Sequence, residues 1–216
     1  MKVKKNYYYL LLSLFILLSL TILYQKGFFS KLFNVVDFIK NNKYSVYIKQ
    51  DLLFNNYILS EQYKIDILNY KLNIELFPKK GSILSESNIT GLITESCDTI
   101  VLNFEKGFLI DEVKLNDKVI NFRYLNNYLK IPNYIKKGEK FNLYVKYKGQ
   151  PISKGLGSFV FDEYKGYNFI YTLNEPIYAS TWFPCNDRPD DKALFDITIT
   201  SDSLYTSVSN GSLVKI

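Results

Sequence analysis

The spacing of hydrophobic residues changes near Tyr63, and the change divides the chain into two parts. Before it, an uncharged run covers residues 7–24, YYYLLLSLFILLSLTILY, directly after three lysines within the first five positions. As a helix, these 18 residues would be about 27 Å long, close to the roughly 30 Å of a bilayer core. The pattern predicts a transmembrane anchor within residues 1–27, with the basic N-terminus in the cytoplasm and the rest of the chain outside it.

A cleaved signal peptide is the alternative to an anchor. Its apolar region would be unusually long, and Ser19-Leu20-Thr21 is a poor cleavage site. Cleavage would release the chain instead of leaving it as a single-pass membrane protein. Residues 28–60 follow as a predicted helical stalk or linker, because apolar residues recur there at helical spacing, namely Phe29, Leu32, Phe33, Val36 and Ile39.

After Tyr63 the hydrophobic period becomes two, which is typical of β-strands. The clearest alternation with polar residues is at Leu68, Tyr70, Leu72, Ile74 and Leu76. Shorter strands are predicted at 89–94, 100–104, 113–115, 119–124, 128–131, 141–147 and 159–161. Turn pairs lie between several of these runs, at Lys80-Gly81, Asn116-Asp117, Asn126-Asn127, Lys137-Gly138 and Lys165-Gly166. The pattern predicts a mainly β domain over residues 61–216, an antiparallel β-sandwich or saddle-shaped sheet.

A proline-rich segment interrupts the strands at residues 171–192. It holds three of the six prolines, and proline neither donates a backbone hydrogen bond nor fits a central strand. The segment is therefore predicted to be a shaped loop. The alternation of Phe195, Ile197 and Ile199 with polar residues then predicts a half-buried strand. Residues 214–216 also have a strand-like pattern, so the sheet is expected to be incomplete at its C-terminal end.

Composition excludes several classes of function. The chain has no histidine, which excludes Ser-His-Asp and Cys-His catalysis and a His-Glu-x-x-His zinc helix within it. Two cysteines are too few for a four-thiolate zinc site. Cys97 and Cys185 are expected to be free buried thiols, with a disulfide as the alternative in an exported chain. The net charge of +6 comes from scattered lysines without a basic stripe, so no nucleic-acid partner is expected.

Part of the proline-rich loop resembles a known family. The residues concerned are Asn174-Glu175-Pro176, Trp182-Phe183-Pro184-Cys185-Asn186-Asp187-Arg188-Pro189 and Asp191-Lys192-Ala193. They resemble the end of the N-terminal domain of the aminopeptidase N family of zinc metallopeptidases, family M1, where the pattern is roughly Thr-Gln-x-Glu-Pro and then Phe-Pro-Cys-x-Asp-x-Pro-x-x-Lys-Ala. The structural motif would consist of Trp182, Phe183, Pro184, Cys185, Asp187, Pro189 and Lys192. Leu173 and Ser180 depart from the pattern, because the family usually has Gln and Arg there.

The resemblance implies a non-catalytic domain that packs against a peptidase domain absent from this chain. Zinc would lie in that other domain, this chain would carry no cofactor, and it is predicted to be inactive by itself. The family also suggests that Glu175 contacts the amino terminus of a peptide substrate. A carboxylate before proline is held extended and can pair with a cationic α-amine. The alternative for Glu175 is a solvated loop carboxylate.

Three acids in the loop could also suggest acid–base catalysis or calcium binding. Asp187, Asp190 and Asp191 lie within five positions, whereas glycosidase carboxylates usually sit on separate elements. They are therefore interpreted as a turn-forming cluster, with Asp187 capping its own backbone and Arg188 and Lys192 balancing the charge.

Two hypotheses compete with the peptidase interpretation. One is a standalone membrane-tethered β-sandwich module for adhesion or assembly, without enzyme activity. The other is a degenerate scaffold that keeps the fold but has lost the metal. The coding sequence beyond Ile216 distinguishes them, because only a peptidase would continue into a His-Glu-x-x-His motif.

Overall fold

The computed structural model describes residues 57–155 and 157–216, and the strands of three β-sheets make up about half of this part of the chain. The strands are β1 (Ile65–Phe77), β2 (Ser82–Ile93), β3 (Thr99–Asn103), β4 (Phe108–Leu115), β5 (Lys118–Val119), β6 (Arg123–Leu125), β7 (Tyr128–Pro132), β8 (Lys140–Gly149), β9 (Ser158–Tyr164), β10 (Tyr167–Leu173) and β11 (Leu194–Thr200). Short 3-10 helices lie at Ser60–Lys64, Pro78–Lys80 and Ala179–Thr181. The predicted mainly β architecture is confirmed.

The predicted anchor and almost all of the predicted stalk lie outside the described residues. Within residues 57–155 and 157–216, no helix has the length and apolar character needed to cross a membrane.

One hydrophobic core holds the two larger sheets together. The six-stranded sheet has the order β11-β1-β2-β8-β4-β5, the three-stranded sheet has the order β3-β7-β6, and β9 and β10 form a separate hairpin. Side chains from both larger sheets are buried in the same cluster, among them Leu72, Ile89, Ile100, Leu129 and Leu143. Neighbouring strands are antiparallel as predicted, except that β11 runs parallel to β1.

Strand β1 departs from the predicted alternation at Leu68. A β-bulge shifts the register with β2 between Ile67 and Asn69. The extra residue puts Leu68 out of phase, so Ile67 is buried and Leu68 is only half-buried. From Tyr70 onward the alternation follows the prediction.

The turn pairs behave as predicted in all but one case. Asn116-Asp117 and Asn126-Asn127 have positive φ at both positions and connect β4 to β5 and β6 to β7. Lys165-Gly166 closes the β9–β10 hairpin in the same way. Lys137-Gly138, in contrast, leads from β7 to β8, which belong to different sheets. The prediction of a single strand over residues 119–124 is also wrong. The structure divides this stretch between β5 and β6, which belong to different sheets.

Strand β11 is more exposed than predicted. Phe195 and Ile197 are 49% and 36% exposed, although the ring of Phe195 stacks on Tyr70 with a centroid distance of 5.0 Å. The reason is that β11 is the edge of the six-stranded sheet and has β1 as its one neighbour among the described strands. No strand follows it, so the predicted strand at 214–216 is also wrong.

Candidate functional site

The proline-rich loop lies between β10 and β11 and packs along the edge of β3. Its segment 180–187 is buried throughout. The backbone of Cys185 pairs with that of Asn103, with N–H to carbonyl distances of 2.8 and 3.0 Å in the two directions. The prediction of a shaped loop is correct for most of the segment, except that β10 extends to Leu173. The central residues of the loop therefore belong to the core of the domain.

Trp182 connects the centre of the loop to β8, to β9 and to the start of the loop itself. Its ring lies 4.4 Å from that of Phe183 and 5.8 Å from that of Phe159, measured between centroids. Its indole N–H donates to Asn174 Oδ1 at 2.9 Å, and its carbonyl accepts from the hydroxyl of Tyr147 at 2.9 Å. The hydrogen bond to Asn174 fixes one end of the segment that carries Glu175.

Asp187 holds the turn that precedes it in the chain. Its carboxylate accepts hydrogen bonds from the backbone N–H groups of Tyr178, Ala179 and Ser180, at 2.8, 3.3 and 3.4 Å. The prediction that Asp187 caps its own local backbone is therefore wrong, because its partners lie seven to nine positions earlier. Tyr178 has φ of 85°, a left-handed conformation that a non-glycine residue adopts only where its surroundings enforce it.

A buried network of amides joins the loop to the start of the domain. The side-chain amide of Gln62 donates to Asn103 Oδ1 at 2.6 Å and to Asn186 Oδ1 at 3.0 Å. Asn186 donates from its side chain to the Gln62 carbonyl, and its backbone N–H donates to the hydroxyl of Tyr70 at 3.0 Å. Sequence reasoning missed Gln62, since nothing in its local pattern indicates partners more than a hundred positions away.

The charge balance predicted for the acidic turn is present in part. Arg188 pairs with Asp190 at 2.5 Å, and its guanidinium carbon lies 3.8 Å from the centroid of the Tyr63 ring. Arg188 also donates to the Gln62 carbonyl. Lys192, predicted to share this role, is exposed. These contacts fit a structural turn.

Asp191 lies at the β-bulge of β1. One carboxylate oxygen accepts from the backbone N–H of Ile67 at 3.2 Å, and the other accepts from the side chain of Asn186. Burial, reinforced by the neighbouring charge of Asp66, raises the pKa of Asp191 from 3.8 to about 6, although Arg188 acts in the opposite direction. Asp191 thus adds a titrating carboxyl group to the junction between loop and sheet.

The free energy of unfolding is expected to fall as the pH rises from about 4 to about 6 through this group. In that interval the folded state binds the proton that the unfolded state has already released, so deprotonation favours unfolding. After a discount for partial exposure, the expected loss is about 1 kcal/mol. Urea denaturation at several pH values, with D191N as the non-titrating reference, measures it. Parallel pH profiles for the two proteins would contradict the prediction.

Two features of the thiols and acids bear on metal binding. Cys97 and Cys185 are free thiols, as expected, and Cys185 is buried whereas Cys97 is half-buried. Burial raises the pKa of the Cys185 thiol well above its usual value, which disfavours the thiolate that a metal would need. No group of three or more Cys, Asp or Glu side chains in the described parts of the chain could hold a metal ion. The chain also has no histidine, so the described residues do not fit a zinc site.

Glu105 and Lys154 form an ion pair beside the loop that the sequence did not predict. The side chain of Glu105 is 1% exposed, and its Oε1 lies 2.5 Å from Lys154 Nζ. The backbone N–H of Glu105 donates to the carbonyl of Ser180 at 2.8 Å. Lys154 Nζ also lies 5.6 Å from the centroid of the Tyr178 ring. The ion pair therefore lies beside the turn at Ala179–Thr181 and next to the Tyr178 ring.

Glu175 is exposed, whereas the residues around it are fixed. Asn174, directly before it, accepts from the Trp182 indole and donates to the Tyr178 carbonyl at 3.0 Å. Tyr178, three positions later, is held by Asp187. The structure thus presents this carboxylate to solvent on a short segment tied down at both ends.

Comparisons with known proteins agree with the sequence motif. The family "Peptidase M1 N-terminal domain" matches residues 66–215. The probable aminopeptidase 1 of Sulfurisphaera tokodaii is 31% identical over 110 residues, which cover 51% of this chain and 14% of that protein. This chain therefore spans a small part of the length of that relative.

Solved structures of low sequence identity share the fold. An M1 zinc metallopeptidase mutant from Deinococcus radiodurans, bound to a Tyr-Ser-Ala substrate, matches with a TM-score of 0.63 at 20% identity, over 70% of this chain and 36% of that one. Leukotriene A4 hydrolase from Saccharomyces cerevisiae matches with a TM-score of 0.56 at 19% identity, over 70% of this chain and 26% of that one. Because the family match extends over most of the chain, this protein belongs to the peptidase M1 N-terminal domain family.

Proposed function

We propose that this chain is the non-catalytic N-terminal domain of a membrane-anchored zinc aminopeptidase, which removes residues from the amino termini of peptides. Membership of the M1 N-terminal family supports the proposal, as do relatives described as an aminopeptidase and as zinc metallopeptidases. A peptidase domain encoded beyond Ile216 would supply the zinc. This domain would pack against it, and residues 1–27 would hold both at the membrane with the β domain outside the cytoplasm.

The observation that carries the proposed role in substrate binding is the position of Glu175. An exposed carboxylate on a fixed segment can accept hydrogen bonds from an α-ammonium group without first being ordered. A peptide is cationic at its amino terminus below a pKa of about 8, so the charges are complementary. A charge-assisted hydrogen bond of this kind is worth about 1.5–3 kcal/mol when it is shielded from water.

The test uses the complete gene product, including the coding sequence that follows Ile216. The proposal expects an open frame with a His-Glu-x-x-His motif and zinc-dependent hydrolysis of aminoacyl-p-nitroanilides. In that protein, E175Q is expected to raise KM about tenfold, since it removes the charge that faces the substrate amine.

Glu163 provides the matched control, because it is an exposed glutamate on β9. E163Q should leave KM within about twofold, in line with the small effects of solvated charges. A stop codon directly after Ile216 would refute the peptidase assignment and favour a standalone module. An unchanged KM in E175Q would refute the role of Glu175 alone.

A further inference from the structure

The Tyr178 ring is where the segment that carries Glu175 meets a second loop, the one that precedes β9. The backbone of Gly155 in that loop lies against the ring. A Cβ atom added to Gly155 would lie 2.9 Å from Cδ2 and 3.1 Å from Cε2 of Tyr178. Separations under 3.0 Å are closer than Cβ atoms approach other atoms, so only a glycine brings the backbone this near to the ring without displacing it.

The loop around Gly155 is held in place by contacts of its own. Gly155 has φ of 57°, in the left-handed region that favours glycine. The carbonyl of Lys154 accepts from the backbone N–H of Gly157 at 3.0 Å and from the hydroxyl of Ser158 at 2.7 Å. Lys154 Nζ pairs with the buried carboxylate of Glu105. The backbone that touches the Tyr178 ring is therefore a fixed support.

Tyr178 in turn is joined to both ends of the segment that carries Glu175. Its backbone N–H donates to Asp187 at 2.8 Å, and its carbonyl accepts from the side chain of Asn174 at 3.0 Å. Glu175 lies between Asn174 and Tyr178 in the chain and is exposed. Because the two ends are hydrogen-bonded to each other, a displacement of Tyr178 would also displace the carboxylate.

We propose that Gly155 is a positioning residue for Glu175 and acts through the Tyr178 ring. This role rests on the proposed function, in which Glu175 binds the amino terminus of a peptide. A side chain at position 155 would push the ring and the segment joined to it away from the loop. Charge-assisted hydrogen bonds need donor and acceptor within about 2.7–2.9 Å, so a shift of about 1 Å would weaken binding of the amine.

The test measures KM and kcat in the complete gene product, with the aminoacyl-p-nitroanilide that the wild type hydrolyses fastest. G155A is expected to raise KM about fivefold, less than the roughly tenfold of E175Q, because the carboxylate is displaced and not removed. The value of kcat should stay within about twofold, since the bond to the amine is present in both the ground state and the transition state.

Gly138 provides the matched control. It has φ of 86°, and nothing lies within 4 Å of a Cβ atom added there. G138A therefore introduces a left-handed alanine, as G155A does, but without a contact to any ring. Its KM should stay within about twofold of the wild-type value.

A second background distinguishes positioning from a general structural role. If Gly155 acts through Glu175, the double variant E175Q/G155A should have a KM within about twofold of E175Q alone. Y178A removes the ring from the other side of the contact and should give the same two results. It takes the place of G155A if urea denaturation shows that G155A does not fold.

The outcomes separate this role of Gly155 from the proposed function. An equal rise in KM in the wild-type and E175Q backgrounds would overturn the positioning role, and so would a KM in G155A no higher than that in G138A. An unchanged KM in E175Q would overturn the role of Glu175 and the positioning role with it. A rise in KM in G155A that is lost in the E175Q background supports both.

Discussion

Replacing Lys154 with methionine is expected to lower the free energy of unfolding of this domain by about 3 kcal/mol. The change keeps a long apolar side chain but leaves the Glu105 carboxylate, which is 1% exposed, without its counter-charge. The other oxygen of that carboxylate, Oε2, already has no hydrogen-bond partner among the described residues. Urea denaturation followed by the fluorescence of Trp182, the single tryptophan of the chain, measures the effect.

Lys148 is the control for this prediction, because its ion pair with Asp111 is formed by side chains that are 53% and 31% exposed. K148M is expected to change the stability by less than about 0.5 kcal/mol. Adding E105Q to K154M should recover most of the loss, since it removes the uncompensated charge. Equal effects of K154M and K148M would show that the Glu105–Lys154 pair contributes no more than a surface ion pair.

Replacing Asp187 with alanine is also expected to lower the free energy of unfolding by about 3 kcal/mol. Three backbone N–H groups, those of Tyr178, Ala179 and Ser180, lose their acceptor, and Ser180 is fully buried where water cannot replace it. The left-handed conformation of Tyr178 would lose one of its supports at the same time. The expected result is a lower midpoint in urea and faster hydrogen exchange at these three amides.

Asp190 provides the matched control in the same turn. Its side chain is 65% exposed and pairs with Arg188. D190A should therefore shift the stability by less than about 1 kcal/mol and leave the exchange of the amides at 178–180 unchanged. Equally small losses of stability in D187A and D190A would contradict the prediction. They would show that the three hydrogen bonds to Asp187 do not hold the segment that carries Glu175.

The strands could be predicted because their hydrophobic period is local. The alternation from Tyr70 to Ile74 identifies one buried face whatever the rest of the chain does, and the Asn-Asn and Asn-Asp turns adopt positive φ for reasons internal to those residues. The bulge at Leu68 could not be predicted in this way. It depends on β2 and on Asp191, whose carboxylate accepts from Ile67 across more than a hundred positions.

Of the candidate site, only the loop that carries the sequence motif could be predicted. The run from Trp182 to Pro189 identified the loop, and the burial of its residues 182–187 fits a structural motif. The partners that fix the loop are distant in sequence, however, as Gln62, Asn103 and Glu105 show. Polar residues of these types are usually exposed, so neither composition nor period indicates that these three are buried. The sequence alone therefore did not indicate that β3 packs against the loop.

The parallel pairing of β1 with β11 also affects how the domain is made. Asn69 lies opposite Leu194, so about 125 residues must be synthesised between the two partners. At typical translation rates of about 5–20 residues per second, that interval lasts roughly 6–25 seconds. During this time β2 can already cover one edge of β1 through the short turn at Gly81, while the other edge stays open. Pairing of β11 with β1 is therefore a late step of folding on the ribosome, and the open edge of β1 is exposed to non-native pairing until that strand has been made.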